Sequence, residues 1–443
     1  MFIMTWLHVQ VSHPRGLPIY YRQPQIRLEI QNNASKRTQW YVFLRLLLNG
    51  GPFLLVLSGG AGRHLLYPRG LGLGGCSLIN GMLYLRGQAE DYNVWAETVE
   101  DSSWRWEHML PLYKGQEHYH GGEGPHHGWG GPWRVEKVRT NWEILGAFAD
   151  AAEKYGVPRV TDFNTGNNFG VGLFDVNQAN GRRLNAYQAF LPKQRSNLEV
   201  MSEVIVEKLL LDAQGEDCYG VEVVHLSTRD KTRVRVTGEV VMCAGAVGSV
   251  QVLERSGVGN GEVLDQAGVQ LVRHLPGVGE NLQDHLQIRT VFEVENVATL
   301  NTLANSLWGK AKIAAEYAMY RSGAMAAAPS QMGAFVPSSP DIDRPDLEFH
   351  VQPLSLAAFG QPLDSYNAFT ASVCHLRPTS RGSIHITSGG DGCVFVCFVS
   401  LAVSVSVWAL CLSASIPLCL PTCHVRPFLL KITAPLSCAC PRH

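Results

Sequence analysis

The stretch that decides the reading is Tyr67-Pro-Arg-Gly-Leu-Gly-Leu-Gly-Gly-Cys-Ser-Leu-Ile-Asn-Gly-Met-Leu-Tyr-Leu-Arg-Gly87. Gly70, Gly72, Gly74, Gly75 and Gly81 remove side chains where a backbone can come close to something flat or anionic, and Ser77 and Asn80 add polar groups that can orient it. Taken alone, such a loop is better explained by tight turns and close packing of elements. Its occupant has to be argued from the rest of the chain.

Around this stretch the composition is that of a mixed α/β protein, with Gly-rich turns, β-branched runs and amphipathic segments alternating from residue 63 to about residue 388. Residues 140–143 fit a capping box, and Trp142, Leu145, Phe148 and Ala152 fall on one face of a helix that Gly156 and Pro158 stop. Residues 198–212 and 220–242 are rich in Val, Ile and Leu, with a polar break at 228–231, and predict strands and a hairpin. A last strand is expected at 239–243, running through Ala244, Gly245 and Ala246 into a helix that closes with Gly257. Strand, small-residue turn and helix then form one unit.

Bulk properties narrow the partners. A length of 443 residues with 46% apolar content allows two or three domains with a sizeable core. With 37 basic and 38 acidic side chains, nothing in the charge points to nucleic acid. Cys76, Cys218, Cys243 and Cys374 are scattered as in a thiol protein, whereas the other seven of the 11 cysteines lie in residues 393–440. That tail has no Asp, Glu, Lys or Arg between Asp391 and Arg426. Hydropathy alone allows membrane contact through residues 393–412, and a segment foreign to the rest of the protein explains the same composition.

Three motifs in order name a family. Residues 69–87 followed by Glu90-Asp-Tyr-Asn-Val-Trp95, then Gly245-Ala-Val-Gly-Ser-Val-Gln-Val-Leu-Glu-Arg-Ser-Gly-Val-Gly259, then Leu275-Pro-Gly-Val-Gly-Glu-Asn-Leu-Gln-Asp-His285, resemble the hallmarks of the glucose-methanol-choline (GMC) oxidoreductases. The resemblance runs from about residue 66 to about residue 388; residues 347–353 and 376–382 are similar to the substrate-domain sheet of choline dehydrogenase-like members. It implies an α/β fold: an incomplete, Rossmann-like FAD-binding domain and an α+β substrate domain on an antiparallel sheet. The expected division is residues 1–63 unassigned, 64–290 a partial FAD-binding domain with interleaved substrate-domain segments, 291–388 a partial substrate-domain segment, and 389–443 the anomalous tail.

The resemblance further implies a non-covalent FAD, because Ile79 stands where members with covalent FAD carry histidine, and one held weakly, because the family's dinucleotide turn has no counterpart. Gly74, Gly75, Cys76, Ser77, Asn80 and Gly81 are expected along the flavin, with Asn80 near the isoalloxazine ring. Val206 is expected at the adenine side through its backbone, and Ala244 and Gly245 at the phosphate or ribose end. The second motif has Gly248 and Val250 where asparagine and proline are usual, which loosens the strand-to-helix turn.

The implied activity is oxidation of the CH–OH group of a small-molecule alcohol, with the electron acceptor undefined. Removing hydride from carbon requires a redox cofactor, because no side chain accepts hydride. Two family features have no counterpart. No GxGxxG turn with a following helix and acid precedes Arg69, the nearest candidate being Leu54-Leu-Val-Leu-Ser-Gly-Gly-Ala-Gly62. The family's active-site histidine comes from a segment beyond residues 379–382, so no catalytic residue is assigned and little turnover is expected. His118, His120, His126 and His127 are expected in an exposed Gly-rich loop rather than around a metal, and His285 beside Asp284 in a structural turn. The alternative function is a non-catalytic remnant or interaction protein of the same fold, tethered to a membrane by its tail.

Overall fold

The computed structural model describes residues 68–191, 196–357 and 361–389, together with the backbone course of six short strands outside these ranges. Its largest layer is an antiparallel sheet in the order Val425–Arg426, Gln287–Val294, Ala368–His375, Leu347–Gln352, Met332–Val336, Gly170–Leu173. Register is set by pairs such as Ile288 with Val373, Val351 with Ala371, and Met332 with Leu173. Alternation along each strand sends Val351, Phe369 and Met332 to one core, where the helix Glu143–Lys154 lays Ile144, Leu145 and Phe148 against Val171. Phe292 stacks on Phe369 with centroids 5.1 Å apart. The sheet therefore draws strands from both sides of residue 290.

The helix forms where the apolar spacing predicts, but without the expected cap. It starts after Trp142, which offers no side-chain acceptor, and the Thr140 hydroxyl instead hydrogen-bonds Gln331 Oε1 at 2.5 Å. A distant partner has taken the group that would have capped the helix.

A second layer carries the nucleotide-side expectations. Val204–Leu211, Cys218–His225 and Lys231–Arg235 form an antiparallel meander, in agreement with the β-branched runs, and Thr228 lies in the turn between the last two. The helix Gly245–Arg255 packs Val252 among Val206, Val221 and Val223, and Ser256 Oγ accepts the Leu209 N–H at 2.8 Å. The strand expected at 239–243 is not a ladder: only Val240 makes a bridge. Valine content favours extension, but only a neighbouring strand makes a strand pair.

A smaller four-stranded sheet, in the order Leu83–Tyr84, Asp175–Val176, Trp133–Lys137, Glu117–Tyr119, takes up the end of the first motif. Leu54–Leu57 continues into an antiparallel strand, His64–Leu66, rather than a helix, so it is not the opening of a dinucleotide turn; residues 58–63 lie outside the described residues. No helix among the described residues is long and apolar enough to cross a membrane. The run 393–412 lies outside them except for the strand Val394–Cys397.

Candidate functional site

The Gly-rich motif folds as a loop closed by one turn of 3-10 helix, Gly75–Leu78. Its entry demands glycine: Gly74 has φ 110° and Gly75 φ 53°, a region that costs other residues strain. The two differ in surroundings. A Cβ on Gly74 would meet Ser77 Oγ at 3.2 Å and Asn185 at 3.3 Å, whereas one on Gly75 would point into open space. Gly75 thus leaves its Cα open on one side, while its N–H donates to the Gly72 carbonyl at 2.9 Å.

Polar contacts hold the loop from behind. Ser77 is buried; its hydroxyl donates to the Gly74 carbonyl at 2.5 Å and accepts the Ala186 N–H at 2.9 Å. Asn185 caps the helix Ala186–Phe190 through a reciprocal bond with Gln188. Arg183 Nη1 donates to the Ser77 carbonyl at 3.1 Å and to Asn80 Oδ1 at 2.7 Å, and the Met82 N–H donates to the same oxygen at 3.1 Å. Arg69 Nη1 lies 3.6 Å from Cys76 Sγ, and Gly81 stands 4.0 Å from Pro329 by its virtual Cβ. The sequence reading missed Arg183 and Asn185; the Gly-Arg-Arg-Leu-Asn run at 181–185 was their only signal, and it has no periodicity.

Val206, Ala244 and Gly245 form a second group. Val206 is buried in the meander's core, while Ala244 and Gly245, the latter at φ 78°, cap the helix whose Val252 covers that core. Gly248 lies in the first turn of this helix, its virtual Cβ 3.1 Å from the Ala244 methyl, so an asparagine there would press on the cap. The third motif locks onto the same helix through the strand Ser383–Ile386. Fully buried Glu254 accepts from the Ile386 N–H at 2.8 Å and meets His385 Nδ1 at 2.7 Å, while His385 Nε2 meets Glu280 Oε1 at 3.1 Å. The hydrogen bond to Glu254 raises the His385 imidazole above its usual value, against the opposing effect of burial. Gly279, at φ 82°, passes close enough to this strand that a Cβ would fall 2.2 Å from the Ile384 carbonyl oxygen. Residues 376–382, expected in the sheet, are instead the connection that brings Gly382 to Leu282.

The end of the first motif is anchored by buried charge. Arg86 Nη2 lies 3.0 Å from Glu117, and His127 bridges Glu117 at 3.1 Å and Asp162 at 2.9 Å, with Tyr119 stacked on the imidazole at 3.5 Å. Burial alone would lower the His127 pKa, but hydrogen bonds to Asp162 and Glu117 outweigh it and raise it to about 9. His127 is therefore not in an exposed loop: it is buried and ion-paired, and His118 belongs to the strand Glu117–Tyr119. The glycines misled that reading, because they serve close packing: a Cβ on Gly128 would fall 1.9 Å from the Lys114 carbonyl oxygen.

This assembly of motifs can be compared with known proteins. The sequence model of the GMC oxidoreductases matches residues 43–287. The chain belongs to the GMC oxidoreductase family. Among curated members, the oxygen-dependent choline dehydrogenase of Citrobacter koseri is 35% identical over 324 residues, covering 72% of this chain and 58% of that protein. Oxygen-dependent choline dehydrogenase 1 of Chromohalobacter salexigens is 36% identical, covering 72% of this chain and 57% of that one. The chain thus spans a little over half the length of these relatives. Among solved structures, pyridoxine 4-oxidase from Mesorbium loti superposes with a TM-score of 0.73 at 24% identity, over 91% of this chain and 76% of that one. A formate oxidase gives 0.71 at 19% identity, over 82% of this chain and 70% of that one. These two likenesses show the fold. The GMC fold seen here is the mixed α/β architecture expected, antiparallel sheet included.

FAD is the cofactor that goes with the GMC family. The residues present suit its flavin: Gly75 leaves open space beside its Cα, and Asn80 Oδ1 is engaged by two donors. The Asn80 amide N–H groups have no acceptor among the described residues, which matches the acceptor-rich edge of an isoalloxazine ring.

Proposed function

We propose that the chain is the flavin-facing part of an FAD-dependent oxidoreductase acting on the CH–OH group of a small choline-like alcohol. FAD supplies the hydride-accepting ring when bound; the chain supplies position and shape. In this reading residues 74–77 form a floor of backbone, Asn80 orients the ring, and Gly81 admits its edge, while Val206, Ala244 and Gly245 take the nucleotide side. The support is the pairing of an open Gly75 with an oriented Asn80 in a loop held from behind by Arg183 and Ala186. Ile79 beside Asn80 offers no nucleophile, so FAD is held without a covalent bond. The division of residues 64–290 and 291–388 into FAD-side and substrate-side parts belongs to the same proposal.

The alcohol oxygen must also lose a proton, and no described side chain is assigned as the base that takes it. His127 lies between Glu117 and Asp162, and His385 between Glu254 and Glu280. We therefore expect slow turnover by the chain as sequenced. The test is anaerobic mixing of the FAD-loaded chain with choline and with a panel of aliphatic and aryl alcohols, followed by flavin absorbance. Slow bleaching, fastest with choline, is expected, and acid precipitation should release all flavin into solution. A loaded chain that no alcohol bleaches overturns the alcohol reading; fast bleaching overturns the expectation of slow turnover.

A further inference from the structure

Arg183 is a cation in an unusual position. It lies in the short strand Arg182–Arg183, half-buried, and no carboxylate stands within ion-pair distance of it among the described residues. Its bonds go to neutral oxygens of one loop: the Ser77 carbonyl at 3.1 Å and Asn80 Oδ1 at 2.7 Å. Burial without a countercharge pulls its pKa down to about 10. A guanidinium presents its donors in a rigid planar fork, which lets it fix the orientation of the oxygens it binds.

What that geometry does to Asn80 can be read atom by atom. An amide side chain can flip, exchanging its oxygen and nitrogen at little cost when its surroundings are indifferent. Here they are not indifferent, because the oxygen faces two donors, Arg183 Nη1–H and the Met82 N–H. In the flipped state the amide nitrogen would face both of those donors, so the Met82 N–H would lose its acceptor and Arg183 Nη1 would keep only the Ser77 carbonyl. Asn80 Nδ2 is therefore held on the side away from these two donors, with two N–H groups that find no acceptor among the described residues.

We propose that Arg183 is a positioning residue that locks the Asn80 amide so that its N–H groups face an acceptor on the flavin. The inference rests on the flavin reading of residues 74–81 and extends it to a residue outside the three motifs. Arg183 acts through Asn80, and the Arg86 guanidinium cannot replace it, being engaged by Glu117 and Tyr84.

The test compares three variants of the full chain with the wild type by FAD titration, following quenching of flavin fluorescence and the visible circular dichroism of the bound flavin. Arg183→Met frees the amide, and Kd should rise about ten- to a hundred-fold, the cost of one charge-assisted hydrogen bond. Arg183→Lys keeps the charge and one donor, and should recover part of that loss. Asn80→Asp is the discriminating variant. It gives Arg183 a carboxylate partner, so thermal stability should hold or rise, while loss of the N–H donors weakens FAD binding and alters the dichroism. A stable Asn80→Asp with wild-type Kd and spectrum overturns the proposal, as does a folded Arg183→Met with wild-type affinity. If Arg183→Met does not fold, Asn80→Asp decides. A wild-type chain that binds no FAD sinks the flavin reading itself, and the proposal with it.

Discussion

Replacing His127 by glutamine should remove a pH-dependent part of the protein's stability, and the size and direction of the effect follow from the buried network. Both ring nitrogens face carboxylates, Nδ1 toward Glu117 and Nε2 toward Asp162, so both carry protons and the ring is an imidazolium. Arg86 adds a second positive charge to Glu117, Tyr119 lies on the ring face, and the charge of Lys137, paired with Asp175 at 2.8 Å, also acts on Asp162. In the unfolded chain the ring titrates near 6.5, and in the fold near 9, because hydrogen bonds to the carboxylates outweigh burial. A raised folded pKa stabilises fully below the unfolded value and loses its contribution as pH climbs through the folded one. That difference amounts to about 3 kcal/mol, at 1.36 kcal/mol per pKa unit.

The assay is urea unfolding of wild type and His127→Gln at a series of pH values, followed by tryptophan fluorescence from buried Trp133. The stability gap between the two proteins should be widest near pH 6. It should narrow by about 3 kcal/mol by the time the pH passes 9. Below the usual carboxylate range it should narrow again, because hydrogen bonds to His127 hold the Glu117 and Asp162 pKa values down against burial. A gap that stays constant from pH 6 to 10 would mean a neutral His127, and the charge account of this anchor would be wrong.

Other substitutions probe other links. Ser77→Ala leaves the Ala186 N–H without its acceptor and should lower stability by about 1–3 kcal/mol in urea unfolding. Glu254→Gln keeps the shape but discharges the partner of His385, so a loss of about 2 kcal/mol is expected. Because the His385 pKa is raised in the fold, that loss should be greatest below the ordinary histidine range and shrink as pH rises, as unfolding at two pH values would show. Gly333→Ala would place a methyl 2.1 Å from Phe174 Cζ in the core and should cost about 1–3 kcal/mol. Gly146→Ala, in a helix interior with open space around it, should raise stability by about 0.5–1 kcal/mol, so opposite shifts in melting temperature are expected.

The motifs were legible because glycine at positive φ and a polar group at fixed offset are local requirements: Gly74, Gly75 and Gly245 all adopt the left-handed backbone that their glycines permit. The meander and the helix Glu143–Lys154 were legible from periodicity for the same reason. What the sequence hid is non-local. Thr140 bonds Gln331, 191 residues away, and not its own helix. Asn80 is set by Arg183, 103 residues on, and His127 is buried by Glu117, Asp162 and Arg86, which reach it from three separate segments. No window of sequence contains such pairs, so a Gly-rich run around four histidines read as an exposed loop. Glu254 stood inside the second motif in plain view, but its role needed His385 and Ile386 beside it.

Hydrogen–deuterium exchange of the chain with and without FAD reaches the flavin-facing surface itself. If residues 74–81 and the Ala244–Gly245 turn together cradle the dinucleotide, FAD should slow amide exchange in both stretches, leaving the helix Glu143–Lys154, packed on the large sheet, unchanged. Binding of FAD with unaltered exchange in both stretches would place the cofactor elsewhere and contradict the site.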